Sequence, residues 1–198
     1  MPENLDLIIL YFFNHDLANP VLDRFFLFIA ESKTFLFALI MLAIILFWRG
    51  SLRLKTVMIL VIACVAIVDP VSHYVLKPLF GRIRPCYELA DVRLLVGCGG
   101  RFSFPSNHAA NSFAIAGVVA YFFRKYTALL ATSAVLISLS RIYLGRHYPS
   151  DVLGGVVLGV LTACLVIYLL KLVLNYMESK DILKPKVEKV REAVSWKK

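Results

Sequence analysis

Apolar residues in this chain run in blocks close to the roughly 20 residues a helix needs to cross a bilayer. Thr34 to Trp48 is apolar for fifteen residues and extends backward through Phe26–Ile29. Thr56 to Leu76 is a second block, interrupted by Asp69-Pro70. Ala109 to Phe123 is a third, rich in small residues; Thr127 to Leu144 is a fourth; Val152 to Leu174 is the fifth and longest. None follows the basic n-region of a cleavable signal peptide.

The first 33 residues have a different pattern. Leu5–Phe13 is apolar but too short to span, Asn19-Pro20 breaks it, and Val21–Ala30 carries Asp23 and Arg24 among Phe and Leu. This pattern predicts interfacial helices packed on the bundle, with a sixth span as the alternative. The expected fold is therefore all-α: an integral membrane bundle of five or six transmembrane helices. Residues 1–177 form one membrane-embedded domain, of which 1–33 are interfacial. Residues 178–198 form a charged, weakly amphipathic, solvated tail.

Composition agrees with lipid as the solvent. Of 198 residues, 60% are hydrophobic and 18% charged, against about 45–50% apolar in a soluble domain. A chain this small has no core large enough to absorb the excess. The net charge of +9 then points to topology and anionic headgroups before nucleic acid, especially as the basic residues divide between two membrane faces. Arg49, Arg53 and Lys55, then Arg124 and Lys125, then eight basic residues from Lys171 to Lys198 fall on one side if there are five spans. That side should be cytoplasmic. The Lys77–Asn107 loop and the Arg141–Asp151 turn should face outward.

Three outward segments concentrate chemistry. Lys77 to Pro85 ends the second span, Phe104 to His108 opens the third, and Ser140 to Asp151 joins the fourth and fifth. Lys77, Arg84 and Arg141 offer a point charge and two planar forks suited to phosphate oxygens. Pro105-Ser106-Asn107 precedes a helix start, where free backbone N–H groups and the positive dipole end favour an anion. His108 and His147 can act as acid, base or nucleophile. Asp151, four residues after His147, can accept the Nδ1–H of that ring and leave Nε2 free to attack. A dianion cradle, an oriented nucleophile and a separate proton donor suit phosphoryl transfer through a phosphohistidine. No carboxylate cluster suits Mg²⁺, so the cationic side chains would carry the charge stabilisation.

KxxxxxxRP, PSxH and SRxxxxxHxxxD, in this order from Lys77 to Asp151, resemble the three signature motifs of the type 2 phosphatidic acid phosphatase (PAP2) family. That family includes undecaprenyl pyrophosphate phosphatases, lipid A phosphatases, glucose-6-phosphatase and the vanadium haloperoxidases. The resemblance implies a PAP2/haloperoxidase-like core, with His147 as nucleophile, Asp151 as its partner and His108 as general acid. It also implies phosphate binding by Lys77, Arg84, Ser106 and Arg141, and no metal or cofactor. The family commonly has Gly between Ser and His, where this chain has Asn107; its backbone N–H survives the change.

The implied activity is removal of the terminal phosphate from a membrane lipid, with undecaprenyl diphosphate or the 1-phosphate of lipid A favoured. Phosphatidylglycerophosphate and phosphatidate phosphatase activity, transfer of the phosphate to another lipid, and non-enzymatic lipid-phosphate transport are the alternatives. The short chain resembles the small bacterial members, implying the inner membrane, a periplasm-facing site and a cytoplasmic C-terminal tail. The partners are a lipid phosphate and membrane lipids, not nucleic acid, and the oligomeric state is left open.

Four further features carry expectations. Asp69 is either a polar kink beside Pro70 or a partner that positions Lys77. Cys86 and Cys98 flank Tyr87–Gly97 and could close it as a disulfide on an oxidising side, whereas Cys64 and Cys164 should be small packing residues. Gly155 and Gly159 form GxxxG, which permits close helix contact. Arg82, Arg93, Arg101 and Arg146 should be solvated or face headgroups.

Overall fold

The computed structural model describes residues 3–31, 50–180 and 184–194. The first expected span, Thr34–Trp48, and Arg49 lie outside the described residues. The remaining blocks are all helical. α1 (Glu3–Tyr11) runs through a π-helical turn at Phe12–Asp16, and α2 spans Pro20–Glu31. α3 (Leu52–Pro70) continues through a second π turn, Val71–Leu76, into the short α4 (Lys77–Phe80). After a one-turn α5 (Pro85–Glu88) come α6 (Asn107–Phe122), α7 (Thr127–Tyr143), α8 (Pro149–Ser179) and α9 (Lys184–Val194).

Three helical stretches among the described residues are long and apolar enough to cross a membrane: Leu52–Phe80, Arg124–Tyr143 and Pro149–Ser179. α6, with 16 residues, packs among them. α1 has 9 residues and runs on through the 5 residues of its π turn, together about 21 Å at 1.5 Å per residue, short of the roughly 30 Å of a bilayer core.

Local chemistry sets the helix ends. Ser51 Oγ accepts the Leu54 N–H at 3.3 Å and starts α3. Asn19 Oδ1 accepts from Val21 and Leu22 at 3.1 and 3.0 Å and starts α2. Pro70 cannot donate to the carbonyl one turn back, and the helix widens into its π turn directly after it. A π turn thus stands where a polar kink is one of the two expectations for Asp69.

The core lies where α3, α6 and α8 meet. Val57, Leu60, Cys64 and Val68 from α3 face Ala110, Ala114, Val118 and Phe122 from α6, and Ala163 and Val166 from α8. Small residues let α6 and α8 touch backbone to backbone. A Cβ on Gly159 would collide with the Ala110 carbonyl oxygen, and one on Gly155 would stand 2.5 Å from that of Ser106. The GxxxG contact is thus internal to the bundle. Ile59, Ile62, Val157, Leu161 and Leu165 point outward, as lipid-facing positions do in a bundle this apolar. Cys64 is buried in the core, whereas Cys164 is exposed and packs nothing inside.

The basic ends gather at one end of the bundle. Arg53 donates through Nη2 to the Phe122 carbonyl at the end of α6 and stands over the Phe123 ring, beside Arg124 and Lys125. The tail, for which the sequence predicts a solvated segment, is partly docked. α9 packs against α3 and α8, Val187 is buried, and Arg191 pairs with Glu178 and Asn175.

Candidate active site

The three motif segments converge at the other end of the bundle. Lys77 opens α4, which stops at Gly81, where φ is +58°. A residue without a Cβ takes that left-handed value at no steric cost. The chain then extends, Ile83 bridging to Phe102. This brings the Phe102 carbonyl between two cations: Lys77 Nζ donates to it at 3.5 Å and Arg84 Nε at 3.2 Å. Arg84 Nη1 donates to the Cys98 carbonyl at 2.7 Å. Cys86 and Cys98 form a disulfide, which closes the loop that the two cysteines flank.

Ser106 caps α6, but not with a free amide. Its N–H donates to the Asp151 carbonyl at 3.0 Å, which joins the second motif to the third. What remains for an anion is the Ser106 hydroxyl, buried and without a partner, and the amides of the first turn of α6, which lack intrahelical acceptors.

The third motif is a tight turn after α7. Gly145 has φ +70°, and a Cβ there would run into Val92, so only glycine fits. The N–H groups of Arg146 and His147 both donate to the Arg141 carbonyl, at 3.1 and 3.2 Å. The chain folds back and sets His147 over Arg141. Arg141 is almost wholly buried, and its Nη1 has no partner. A buried guanidinium nitrogen and a buried hydroxyl left unpaired each cost free energy unless an anion satisfies them.

His147 Nδ1 stands 3.4 Å from Asp151 Oδ2, with both side chains buried. The ring N–H is not yet aligned for a good hydrogen bond, a looseness common in catalytic sites without substrate. The same Oδ2 accepts the Tyr148 N–H at 2.9 Å, fixing the carboxylate at the start of α8. Burial pushes the His147 imidazole down to about 4; Asp151 opposes this, and Arg84 and Lys77 add to it. The ring is therefore neutral at physiological pH, with Nε2 available as a nucleophile. Burial, then the neighbouring Arg146, lowers Arg84 to about 10, which still leaves it charged.

His108, His147, Lys77, Arg84 and Asn107 line one cleft of about 600 Å³, together with His73, Tyr74 and Phe102. His108 is exposed to it. Desolvation in the cleft, then the charges of Arg141, His147, Arg146 and Arg84, push the His108 imidazole down to about 3, so it is neutral until a phosphate's negative charge stands beside it. Every residue expected at the site is thus at this end of the bundle. Arg141, Ser106 and Asp151 stand buried behind the cleft wall. Among the described residues no three His, Cys, Asp or Glu side chains group to hold a metal ion.

Several residues depart from expectation. Asp69 has no hydrogen bond to Lys77; its Oδ1 accepts from Asn107 Nδ2 at 3.0 Å and Asn111 Nδ2 at 2.9 Å. Of the arginines expected to be solvated or to face headgroups, three do otherwise. Arg82 donates to Asp6 at 2.7 Å and to Asp151 at 3.1 Å. Arg93 pairs with Asp23 at 2.8 Å. Arg146 donates to the Cys98 carbonyl at 3.3 Å. No local signal marked Arg82: it lines a neighbouring cleft with Glu88 and Tyr148, whereas Arg84 lines the cleft of His108 and His147.

Known proteins place this geometry in a family. The profile described as the PAP2 superfamily matches residues 55–173. Undecaprenyl-diphosphatase BcrC of Bacillus subtilis is 31% identical over 172 residues, 87% of this chain and 82% of that one. A lipid A 4'-phosphatase of Bacteroides thetaiotaomicron is 40% identical over 98 residues, 46% of this chain and only 44% of that one. The crystal structure of LpxE from Aquifex aeolicus matches with a TM-score of 0.65 at 29% identity, covering 83% of this chain and 95% of that one. The transmembrane PAP2-type phosphatidylglycerolphosphate phosphatase of Bacillus subtilis matches with a TM-score of 0.65 at 27% identity, over 85% and 86% of the two chains. With its motif residues gathered at one cleft and this fold around them, the chain belongs to the PAP2 superfamily of membrane proteins.

Proposed function

We propose that this protein is a membrane lipid phosphatase that removes the terminal phosphate of a lipid phosphate or diphosphate by way of a phosphohistidine. The observation that carries the reading is the pairing of neutral His147 with buried Asp151 in a cleft lined also by His108, Lys77 and Arg84. The lipid phosphate enters with its oxygens toward Lys77, Arg84, Arg141 and the Ser106 hydroxyl. His147 Nε2 attacks phosphorus while the Nδ1–H is held by Asp151. As the N–P bond forms, the P–O bond to the leaving group breaks, and His108, which takes up a proton once the phosphate's negative charge is bound beside it, gives that proton to the departing oxygen. Water, deprotonated by His108, then attacks phosphorus; the N–P bond breaks and inorganic phosphate leaves.

Relatives named for undecaprenyl diphosphate and lipid A make these the favoured substrates. The membrane-facing rim suits either. Tyr74, Val75, Leu79 and Phe80 are exposed beside the cleft, where an acyl or prenyl chain can stay in lipid. The clustering of basic residues at the opposite end supports a bacterial inner-membrane orientation with the cleft outside and α9 in the cytoplasm.

The test is phosphate release by the purified full-length protein from undecaprenyl diphosphate, lipid A, phosphatidylglycerophosphate and phosphatidate in parallel. The reading requires release from at least one of them and its abolition by His147→Ala. Appearance of the phosphate on a second lipid would make the protein a transferase. Transport without release would make it a carrier.

A further inference from the structure

The third motif is anchored from an unexpected direction. Asp6, on α1, is 2% exposed and lies outside the 55–173 stretch matched to the family. Its Oδ2 accepts from Arg82 Nη2 at 2.7 Å and from Ser150 Oγ at 2.5 Å, and its Oδ1 accepts the Ser150 N–H at 2.8 Å. The other terminal nitrogen of Arg82, Nη1, donates to Asp151 Oδ1 at 3.1 Å and to Ser150 Oγ at 2.5 Å. The Arg82 Cζ stands over the Tyr148 ring, 3.9 Å from the centre. Oδ2 of Asp151 is thereby left for the Tyr148 amide and for His147.

Geometry makes Asp6 more than an anchor for its own helix. A guanidinium beside one carboxylate tends to take both oxygens as a bidentate pair. Arg82 is 29% exposed on its side chain and so has room to rotate. Asp6 claims one of its nitrogens, and so only Asp151 Oδ1 is bound. Without that claim Arg82 is free to swing onto Oδ2, the oxygen that faces His147.

We propose that Asp6 is a positioning residue for phosphoryl transfer: by dividing Arg82 between two carboxylates, it keeps Asp151 Oδ2 aimed at the nucleophilic imidazole. This rests on the reading of His147 and Asp151 given above. It makes the N-terminal helix part of the catalytic support.

The experiment is a double-mutant cycle on the full-length protein in detergent, following kcat, KM and thermal unfolding with one lipid substrate. Asp6→Asn keeps an acceptor for Ser150 but removes the charge that holds Arg82. It should lower kcat about tenfold, with KM within about twofold of wild type. Arg82→Gln should lower kcat as well, and adding Asp6→Asn to it should cost less than a further twofold, because the rotating group is gone. Leu10→Ala, buried on the same helix, tests docking alone and should leave kcat unchanged in the folded fraction. Should Asp6→Asn not fold, Arg82→Lys replaces it, since a compact ammonium lacks the planar fork that sets one nitrogen on each carboxylate; it should lower kcat to the same extent. Wild-type kcat in Asp6→Asn or its Arg82→Lys substitute, losses that multiply in the double variant, or an equal kcat loss in Leu10→Ala would overturn the proposal. Full phosphate release by His147→Ala would instead overturn the reading of the site; loss in His147→Ala with wild-type Asp6→Asn would sink this proposal alone.

Discussion

The side-chain amide of Asn107 donates to Asp69 at 3.0 Å across the interface between α3 and α6. Its oxygen accepts from Ser72 Oγ at 2.7 Å. The residue that departs from the family's usual glycine is therefore fastened at both ends, and its backbone amide is set at the first turn of α6. Asn111 joins the same carboxylate at 2.9 Å. Asp69→Leu strands both amides and should lower stability by about 2–6 kcal/mol, at roughly 1–3 kcal/mol for each unsatisfied group. Asp69→Asn keeps an acceptor and should unfold within a few degrees of wild type, with a reduced kcat. Asn107→Gly should retain activity and lose about 1 kcal/mol. Thermal unfolding in detergent beside phosphate-release kinetics checks all three.

Removal of the Asp151 carboxylate should cost far more. Asp151→Asn cannot hold the His147 Nδ1–H in the required tautomer, and kcat should fall by at least about 100-fold with little change in KM. Its buried contacts to Arg82 and the Tyr148 amide should also weaken, seen as a lower unfolding temperature. A kcat within threefold of wild type would contradict the assigned role.

The leaving group reports on His108. An aryl phosphate departs as a weak base and needs little proton donation, whereas a lipid alkoxide needs it fully. His108→Ala should therefore lose at least about tenfold more activity on a lipid phosphate monoester than on p-nitrophenyl phosphate. Equal losses on the two would assign the protonation elsewhere.

The pH dependence follows from His147. Burial, reinforced by Arg84 and Lys77, holds its imidazole at about 4, below the ordinary value of about 6.5. The acidic limb of kcat/KM should then fall below the usual histidine range, because the nucleophile stays neutral to lower pH. The unfolded chain binds this proton first, so stability should be complete above about 6.5 and decline as pH falls toward about 4. Parallel pH–rate and pH–unfolding series measure both.

The disulfide bears on substrate binding. Cys98 supplies the carbonyl that receives Arg84 Nη1 at 2.7 Å and Arg146 Nε at 3.3 Å. Reduction, or Cys86→Ser with Cys98→Ser, should loosen both cations and raise KM for the lipid phosphate about three- to tenfold, the scale of one ordinary hydrogen bond. Unchanged KM with two free thiols there, verified by mass spectrometry, would dissociate the loop from binding.

Much of the site was legible because its chemistry is local. His147 and Asp151 stand one helical turn apart, Ser106 precedes a helix start, and Arg84 is locked by Pro85. The blocks Thr56–Leu76, Thr127–Leu144 and Val152–Leu174 were legible because lipid demands unbroken apolar length. What escaped was long-range polar pairing. Nothing in an amphipathic N-terminal segment says that Asp6 will meet Arg82, 76 positions away, or that Asp23 will meet Arg93, 70 positions away. A charge near a helix end reads as solvated until a partner is known. The docking of α9 escaped likewise, since its polar composition hides the few apolar residues, such as Val187, that hold it.

The glycine seam between α6 and α8 sets how the protein can move. Gly155 and Gly159 place one backbone directly on the other, and Gly159→Leu should cost upwards of about 1–3 kcal/mol by overpacking. Two rods in such contact neither slide nor part by small steps, and they carry His108 at the end of one and Asp151 at the end of the other. The geometry of the reaction is thus welded in place. A bulky headgroup thus finds no opening along this seam, and the exposed Tyr74, Leu79 and Phe80 mark the side left for it to enter from.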